Sequence, residues 1–444
     1  MSTFHLVSLG CAKNLVDSEV MLGLLQEKGW RLTEDPARAD VLIVNTCGFI
    51  QPAVEEAIEV ILEMASYKEE DPAKLLVVTG CLVQRYLDSL EKDMAEVDLF
   101  VGTEGVGDIA SLLRDLVEGR RREKVHCPDR FLMNSSLPRT LATPFFRTSV
   151  KITEGCNNRC TYCMIPSIRG DLRSRSIPDL IIELQQLEAA GVKEVSLIAQ
   201  DLTAYGNDLD SGTTLPLLLG KILAETSLPW IRLMYLYPSG VDARLLELMA
   251  SEARILPYMD IPFQHVSDPI LKKMHRRYGY RDLCLFIEHA RAAVEDIALR
   301  TTMMVGFPGE TEGDVQQLKD FLKTYRLDHV GVFSYTNEEG AASEFFPDQL
   351  EEAVKEERME RILALQAGIS KDILQKYVGR TVPVLVEGLS RETDLLLEGR
   401  SMYQAPDIDG CVYINDGVAN PGDIVQVHIT EAQVYDLVGG IVQG

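Results

Sequence analysis

The 444-residue sequence has no N-terminal signal peptide and no apolar run of about 18 residues, so we expect no export and no membrane-spanning helix. Positive charge is also scarce, because 44 Lys and Arg residues stand against 68 Asp and Glu residues and the formal net charge is -24. This balance opposes bulk binding to nucleic acid or to anionic membranes, and it suits a basic protein partner better. The nine Cys residues then indicate a reducing cytoplasm, where thiols serve metals rather than disulfides.

Three cysteines in the middle of the chain, Cys156, Cys160 and Cys163, follow a Cys-x3-Cys-x2-Cys spacing. Soft thiolates favour iron-sulfur clusters, zinc and Cu(I). A structural zinc site is normally closed by four ligands, and no nearby His or Cys completes this set. One coordination position is therefore left free for a small molecule.

A second set of cysteines, Cys11, Cys47 and Cys81, ends three apolar, β-rich runs near the start of the chain. The pattern predicts buried parallel strands at 4–11, 40–47 and 74–81, with helices at 14–28, 52–66 and 84–92. Right-handed crossovers put the carboxyl ends of such strands at one edge of the sheet, so the three cysteines should converge there. They are either buried structural cysteines or a second three-thiolate site. The glycines beside them favour the second interpretation: Gly10, Gly48 and Gly80.

Both cysteine sets and their surroundings resemble the methylthiotransferases, a family of radical S-adenosylmethionine (SAM) enzymes with two 4Fe-4S clusters. The resemblance covers the whole chain and is carried by 8–19, 45–50, 79–86 and the Cys156 region. Within that family, 235–240 and 260–274 resemble the RimO branch, which modifies an aspartate of the twelfth small-subunit ribosomal protein. The MiaB branch, which modifies adenosine in transfer RNA, usually differs at these places.

The resemblance implies different functions for the two cysteine sets. Cys156, Cys160 and Cys163 would hold a 4Fe-4S cluster whose open iron is chelated by the amino and carboxylate groups of SAM. After reduction by an external one-electron donor, SAM would yield a 5′-deoxyadenosyl radical that removes hydrogen from the β-carbon of the target aspartate. A methylated sulfur would then come from the cluster of the first cysteine set. No side-chain acid or base is needed for this step, so we predict no catalytic residue beyond the six ligands.

The fold class that we expect is α/β, with an N-terminal parallel-sheet domain, a central open six-unit (β/α) partial barrel and a small C-terminal antiparallel β-barrel. The central strands are predicted at 148–153, 194–199, 231–237, 258–263, 299–305 and 329–335, too few for a closed eight-stranded barrel. The domains are predicted as 1–120 for the methylthiotransferase domain, 121–143 for a linker, 144–373 for the radical SAM core and 374–444 for a barrel that resembles the TRAM domain.

Four residues are candidates for contacts with SAM: Tyr162, Gln200, Gly306 and Glu310. Tyr162 lies between two cluster ligands, where the superfamily has an aromatic residue near the adenine, but it also suits a loop anchor. The other three fall at predicted strand ends, where ordinary turn residues are common. A positive cluster at 272–277 suits SAM, an acidic residue of the substrate or ribosomal RNA, although a solvated helix face is the commoner explanation.

The C-terminal segment is acidic, with three basic residues against ten acidic ones from Tyr377 onwards. TRAM domains commonly bind RNA, but an acidic barrel would repel phosphate and attract a Lys- and Arg-rich protein. We therefore expect Asp407, Asp409 and Asp416 to help dock a basic ribosomal protein. The alternative is an acidic surface without a partner.

Two other functions are open to this sequence. The first is thiomethylation of transfer RNA, which the acidic tail and the residues at 260–274 oppose. The second is electron transfer between two clusters, but carriers use four-thiolate clusters without an open iron.

Overall fold

The computed structural model describes residues 2–210 and 212–442. The chain forms two compact units. The first unit comprises the chain up to Thr143 together with Ser149–Asn157 and Cys163–Glu183. The second comprises Pro144–Thr148, Asn158–Tyr162 and the chain from Leu184.

The first unit is built on a parallel sheet with the strand order β2-β1-β3-β4-β5-β6. Its strands are β1 (Thr3–Ser8), β2 (Arg31–Leu32), β3 (Val41–Thr46), β4 (Leu75–Gly80), β5 (Leu99–Val101) and β6 (Val125–His126). Its helices are α1 (Ala12–Glu27), α2 (Gln51–Glu70), α3 (Cys81–Asp93) and α4 (Ile109–Val117). The three predicted strand-helix pairs are confirmed. Helix α3 begins at Cys81 rather than at residue 84, and β6 lies in 121–143, where the sequence predicted no strand.

Burial explains the central position of β3 and β4 in this sheet. Every residue of β3 is buried, and so is every residue of β4 except Leu75. Apolar side chains on both faces of a strand require cover on both sides, which helices supply in a parallel sheet.

A short segment of the first unit follows the start of β7 (Arg147–Lys151) and contains β8 (Thr153–Glu154), α5 (Ile165–Arg169) and β9 (Arg173–Ser174). Strands β8 and β9 pair in antiparallel fashion. This pairing brings the two ends of the intervening loop together, and that loop carries the cysteines of the Cys-x3-Cys-x2-Cys motif.

A second sheet has the strand order β14-β13-β12-β11-β10-β7; β10 to β14 belong to the second unit, whereas Ser149–Lys151 of β7 belong to the first. The further strands are β10 (Glu194–Ile198), β11 (Trp230–Leu233), β12 (Ile255–Asp260), β13 (Ala298–Val305) and β14 (His329–Ser334), and β10 to β14 pair in parallel. Helix α6 (Ile177–Ala189) begins in the first unit and ends in the second. The other helices of the second unit are α7 (Leu215–Glu225), α8 (Ala243–Ser251), α9 (Asp268–Lys273), α10 (Tyr280–Ala293), α11 (Glu312–Tyr325) and α12 (Glu352–Leu374). All six predicted strands are present, and the open six-stranded sheet is confirmed. Strand β11 ends earlier than predicted because Tyr235 adopts a left-handed conformation with φ of 63°.

Five strands at the end of the chain close a barrel with the order β15-β16-β17-β19-β18. They are β15 (Thr381–Leu389), β16 (Leu397–Ser401), β17 (Val412–Asp416), β18 (Ile424–Ala432) and β19 (Leu437–Ile441). Four of the pairs are antiparallel, as expected, whereas β17 and β19 pair in parallel. Its core is apolar and includes Val384, Val412 and Val427.

Buried charges of this barrel bind residues of the sheet in the same unit. Arg400 donates to Glu194 at 2.6 Å, and Arg232 donates to the other oxygen of the same carboxylate at 2.6 Å. Asp409 is 2% exposed and accepts a hydrogen bond from the Tyr258 hydroxyl at 2.7 Å. Burial would raise the pKa of Asp409, but His329 and Arg300 outweigh this effect and lower it.

These contacts correct part of the docking surface that the sequence predicted. The expectation was wrong for Asp409, because its carboxylate is buried against the sheet. Asp407 forms a two-pronged ion pair with Arg147, with both N–O distances at 3.0 Å. Asp407 and Asp416 are both exposed, but of the three only Asp416 has no ion pair with another described residue.

None of the helices within the described ranges is both long enough and apolar enough to cross a membrane.

Candidate metal centres

The structure brings Cys11, Cys47 and Cys81 to the carboxyl edge of the first sheet. Cys11 directly precedes α1, Cys47 follows β3, and Cys81 begins α3 directly after β4. The charges of Cys11 and Cys47 both act on Cys81, and the guanidinium of Arg169 acts on all three thiols. The side chains therefore share one electrostatic environment, although more than thirty residues separate each from the next.

Glycines make this close approach possible. Gly10 has φ of +87°, and a Cβ atom there would lie 2.7 Å from the Cβ atom of Cys47. Gly80 has φ of +103°, and a Cβ atom there would lie 2.5 Å from the main-chain oxygen of Thr46. Any other residue at these two positions would meet both backbone strain and a steric clash.

The three thiols differ in acidity. Burial raises the pKa of Cys81 to about 11, against the opposing charge of Arg169, and burial also raises the pKa of Cys47. Burial acts in the same direction on Cys11, but Lys13 and the amide of Asn14 outweigh it, so the pKa of Cys11 is lowered. Metal binding requires thiolates and releases the protons of thiols that are still protonated.

Arg169 is the main charged neighbour of this cysteine set. It ends α5, and its guanidinium donates to the Sγ atom of Cys81 at 3.3 Å. The same group donates to Asp17 at 2.7 Å and to Glu154 at 3.3 Å. Lys151 completes a buried quartet of charges, because its Nζ atom lies 2.5 Å from Asp17 and 2.6 Å from Glu154.

The quartet is electrically balanced, with two cations and two anions, and all four residues are at most 4% exposed. Burial would raise the pKa of Glu154, but Lys151 and Arg169 lower it to about 2. Burial would lower the pKa of Lys151, but Asp17 and Glu154 raise it. Glu154 thus stays ionised, and the carboxylates of Asp17 and Glu154 hold the guanidinium of Arg169 at the sulfur of Cys81.

These four residues were not predicted from the sequence, and neither were Asn14 and Asn45, which fix the strand ends. Asn45 donates to the hydroxyl of Ser18 at 2.8 Å and to the carbonyl of Asn14 at 3.0 Å. Asn14 donates to the carbonyl of Leu9 at 2.7 Å. One feature of the sequence could have indicated them. Charged and amide residues stand within apolar strand and helix patterns, and a buried polar side chain needs a hydrogen-bond partner.

The second cysteine set is divided between the two units. Cys156 and Cys163 belong to the first unit, and Cys160 belongs to the second. The amide of Cys156 donates to the carbonyl of Gly170 at 3.1 Å, and the amide of Ile165 donates to the Sγ atom of Cys163 at 3.5 Å. Gly155 has φ of +72°, and a Cβ atom there would lie 2.1 Å from the carbonyl oxygen of Asp171. In the first unit, the backbone beside Cys156 and Cys163 is therefore fixed by close contacts.

In the second unit, Arg276 contacts Cys160 much as Arg169 contacts Cys81. Its guanidinium donates to the Sγ atom of Cys160 at 3.5 Å and to the Tyr162 hydroxyl at 3.4 Å. It also donates to the carbonyl of Pro262 at 2.5 Å and lies 4.4 Å from the ring centre of Tyr237. Within the predicted positive cluster, Arg276 therefore contacts the cysteine loop. Its neighbours Lys272, Lys273 and Arg277 are exposed.

The four predicted SAM contacts have the following surroundings. The ring of Tyr162 packs edge-on against Phe307, with 6.5 Å between ring centres. Glu310 is buried, and it accepts hydrogen bonds at 2.8 Å from the amide of Gly306 and from Arg358. Gln200 is half-buried and lies two residues after the end of β10. Their contact with SAM stays a prediction, and the bonds of Glu310 indicate that it also shapes the loop after β13.

Across residues 2–210 and 212–442, no three His, Cys, Asp or Glu side chains are placed to hold one metal ion together. A single zinc ion needs such closeness, because its bonds to sulfur are only about 2.3 Å long. A four-iron cluster takes each thiolate on a different iron and tolerates a wider spread. Three soft thiolates with an arginine at one sulfur fit that group, and iron-sulfur proteins tune their clusters by hydrogen bonds to sulfur.

Comparison with known proteins agrees with this geometry. Residues 3–102 match the uncharacterized protein family UPF0004, residues 150–322 match the radical SAM superfamily, and residues 378–442 match the TRAM domain. Among solved structures, the radical SAM methyltransferase TsrM from Kitasatospora setae has a TM-score of 0.57 at 17% identity, covering 76% of this chain and 74% of that one. The radical SAM enzyme OxsB has a TM-score of 0.53 at 12% identity, covering 82% and 56%. These structures share the fold.

The chain is thus a radical SAM protein with a C-terminal TRAM domain, and membership of that superfamily implies SAM and a 4Fe-4S cluster. A relative from Desulfotalea psychrophila, named ribosomal protein uS12 methylthiotransferase RimO, is 59% identical, with 99% of each chain covered. A relative of the same name from Geotalea uraniireducens is 47% identical, with 98% of each chain covered. This chain belongs to the RimO family of radical SAM methylthiotransferases.

Proposed function

We propose that this protein adds a methylthio group to the β-carbon of an aspartate in ribosomal protein uS12. The observation that carries the proposal is the pairing of two three-cysteine sets with full-length similarity to RimO proteins. A ribosomal protein is basic, and the charge of -24 on this chain suits such a substrate. A substrate of this kind also places the reaction in the cytoplasm.

We propose that the two cysteine sets hold separate 4Fe-4S clusters. Cys156, Cys160 and Cys163 would bind the cluster that chelates SAM, and Cys11, Cys47 and Cys81 would bind the cluster that delivers sulfur. When bound and reduced by an external one-electron donor, the SAM-ligated cluster supplies the chemistry that activates an inert C–H bond. The segments 1–120, 121–143, 144–373 and 374–444 would then be the methylthiotransferase domain, linker, radical SAM core and TRAM-like barrel.

The chain's own residues orient these groups and exclude water. Arg169 and Arg276 each place a fixed positive charge at the sulfur of one cluster ligand. A hydrogen bond to a thiolate stabilises the reduced, more negative form of a cluster, so both arginines favour electron uptake. Tyr162, Gln200, Gly306 and Glu310 are proposed to contact or shape the SAM site.

The test is an anaerobic assay of reconstituted protein with uS12 and with transfer RNA in parallel, each product being analysed by mass spectrometry. We expect a methylthio group on an aspartate of uS12 and none on transfer RNA. The variant C156A/C160A/C163A should be inactive. The matched variant C127A/C284A/C411A also removes three thiols but keeps all six proposed ligands, so it should retain activity. Modification of transfer RNA and not of uS12 would refute the proposal.

A further inference from the structure

A positively charged cleft lies in the second unit of this otherwise acidic chain. Within 268–282, five Lys or Arg residues stand against two Asp residues, although the whole chain has a net charge of -24. This segment lines a cleft with a volume of about 480 Å3, and Lys272, Arg276 and Arg281 supply its cations. We call this feature the basic cleft.

The cations of the basic cleft are available to a partner. Lys272 and Arg281 are exposed, and neither forms an ion pair or a side-chain hydrogen bond with another residue that the structure describes. The two carboxylates of the cleft are held elsewhere, because Asp268 and Asp282 accept hydrogen bonds at 2.6 and 2.9 Å from the backbone amides at the start of α10. Positive charge at the surface of the cleft is therefore not neutralised by close pairing.

The basic cleft is joined to the segment that carries Cys160. Thr161 donates two hydrogen bonds to backbone carbonyls of 268–282, at 2.9 Å from its hydroxyl and at 3.2 Å from its amide. Arg276, which lines the cleft, donates to the Sγ atom of Cys160 at 3.5 Å. A protein bound in the cleft would thus lie next to a proposed cluster ligand.

Location and charge together define the kind of partner. The proposed function needs an external one-electron donor, and electrons pass between two proteins only where their redox centres come close. An acidic carrier would be repelled by the net charge of the chain but attracted at the basic cleft, which favours one orientation of docking. Electron-transfer complexes are transient and bury little surface, so a single small cleft suits them. A long polyanionic RNA would also meet the acidic surface of the chain.

We propose that the basic cleft is the docking surface for an acidic one-electron carrier that reduces the cluster at Cys156, Cys160 and Cys163. Carboxylates of the carrier would face Lys272 and Arg281, and its redox centre would lie towards Cys160. The carrier loses one electron and the cluster gains it, so no further reactant is needed. This inference rests on the proposed function and adds where the electron enters.

The test uses an acidic flavodoxin as the carrier and the reconstituted full-length protein. K272E/R281E should bind oxidised flavodoxin at least about tenfold more weakly at low salt, because electrostatic steering raises association rates by about 10–1000-fold. Its affinity should also depend less on salt than that of the wild-type protein, since salt screens charge attraction. Reduced flavodoxin should support SAM cleavage by this variant more slowly to a similar degree. Photoreduced deazaflavin, a small reductant that needs no docking surface, should support SAM cleavage at the wild-type rate.

Two control variants separate local charge from other effects. K221E/K323E makes the same change in net charge at exposed positions outside the cleft and should have a much smaller effect on flavodoxin binding. K272R/R281K keeps both charges in the cleft and should bind flavodoxin nearly as well as the wild-type protein does.

Several results would overturn the inference. Unchanged flavodoxin binding by K272E/R281E would show that the carrier docks elsewhere, and an equal loss in K221E/K323E would show that only net charge matters. A wild-type protein that neither binds flavodoxin nor accepts its electrons would also contradict it. If K272E/R281E bound flavodoxin normally but lost affinity for ribosomal RNA, the occupant would be a nucleic acid. Failure of deazaflavin to support SAM cleavage by the wild-type protein would instead refute the proposed function, because that reaction does not use the cleft.

Discussion

Replacing Arg169 by Met should destabilise the first unit and weaken its cysteine site. The guanidinium of Arg169 is 3% exposed and is bonded to Asp17, Glu154 and the Sγ atom of Cys81. The Met side chain fills a similar volume without charge. The loss of stability in this variant therefore reports on electrostatics and hydrogen bonds rather than on a cavity. After the change, two buried carboxylates face one cation, Lys151.

The magnitude follows from this imbalance. Removing one partner of a buried ion pair costs about 3–5 kcal/mol, because the other charge stays buried without compensation. Arg169→Lys keeps the positive charge but loses the planar guanidinium, which donates hydrogen bonds to a carboxylate and to a sulfur at the same time. One hydrogen bond to a charged group is worth about 1.5–3 kcal/mol, which is the loss that we expect for Lys. Adding Asp17→Asn to the Met variant removes an unbalanced carboxylate and should recover part of the loss.

Intrinsic fluorescence offers a suitable assay, because the chain has two Trp residues. Trp30 belongs to the first unit and Trp230 to the second. In a Trp230→Phe background, the fluorescence of Trp30 reports urea unfolding of the first unit in the metal-free protein. Arg122→Met changes an exposed arginine of the same unit and should shift the free energy of unfolding by less than about 0.5 kcal/mol.

A second measurement connects this network to the metal site. In the C156A/C160A/C163A background, the N-terminal cysteine set is the remaining proposed cluster site, so its reduction potential can be titrated by itself. Arg169→Met should make that potential more negative, because a positive charge is lost at Cys81, and Arg169→Lys should lie between Met and wild type. A Met variant with unfolding energy within about 1 kcal/mol of wild type and an unchanged potential would refute the role of Arg169.

Three further predictions concern the cysteine sites and the buried charges. C11A/C47A/C81A should lose methylthio transfer while retaining reductive SAM cleavage, because the SAM site is intact, and normal product formation by this variant would contradict sulfur delivery at these cysteines. Gly10→Ala should reduce iron bound at the N-terminal site, because its Cβ atom would clash with Cys47, whereas Gly29→Ala, with φ of +84° and no atom within 4 Å, should bind iron normally. Burial would raise the pKa of Glu194, but Arg400 and Arg232 lower it from 4.5 to about 2. The ionised carboxylate therefore stabilises the fold fully above pH 4.5, and this stabilisation should be lost as the pH falls towards 2. Glu194→Gln should lower the stability of the second unit at pH 7 and reduce this acid dependence, as measured by Trp230 fluorescence in a Trp30→Phe background.

The strands and the cysteine sets could be predicted from sequence because their signals are local. Apolar runs of five or six residues indicated β1, β3 and β4, and each ended at a cysteine. The same reasoning found the six strands of the second sheet. It missed β2, β5 and β6, because two or three residues carry no periodic pattern.

The buried charges could not be predicted in the same way, because their partners lie far apart in sequence. Arg169 meets Asp17 across 152 residues and Cys81 across 88. Arg400 meets Glu194 across 206 residues. Composition was misleading for Asp409, since a count of acidic residues does not show which of them pair with cations of a sheet.

The central claim is tested most directly in cells. Ribosomal protein uS12 and transfer RNA would be isolated from cells with the gene, from cells without it, and from deletion cells that carry either the wild-type gene or the C156A/C160A/C163A variant. Mass spectrometry should show a methylthio group on one uS12 aspartate only where the wild-type gene is present, with transfer RNA unchanged throughout. An unmodified uS12 in wild-type cells, or a methylthio group that persists in the deletion strain, would contradict the account.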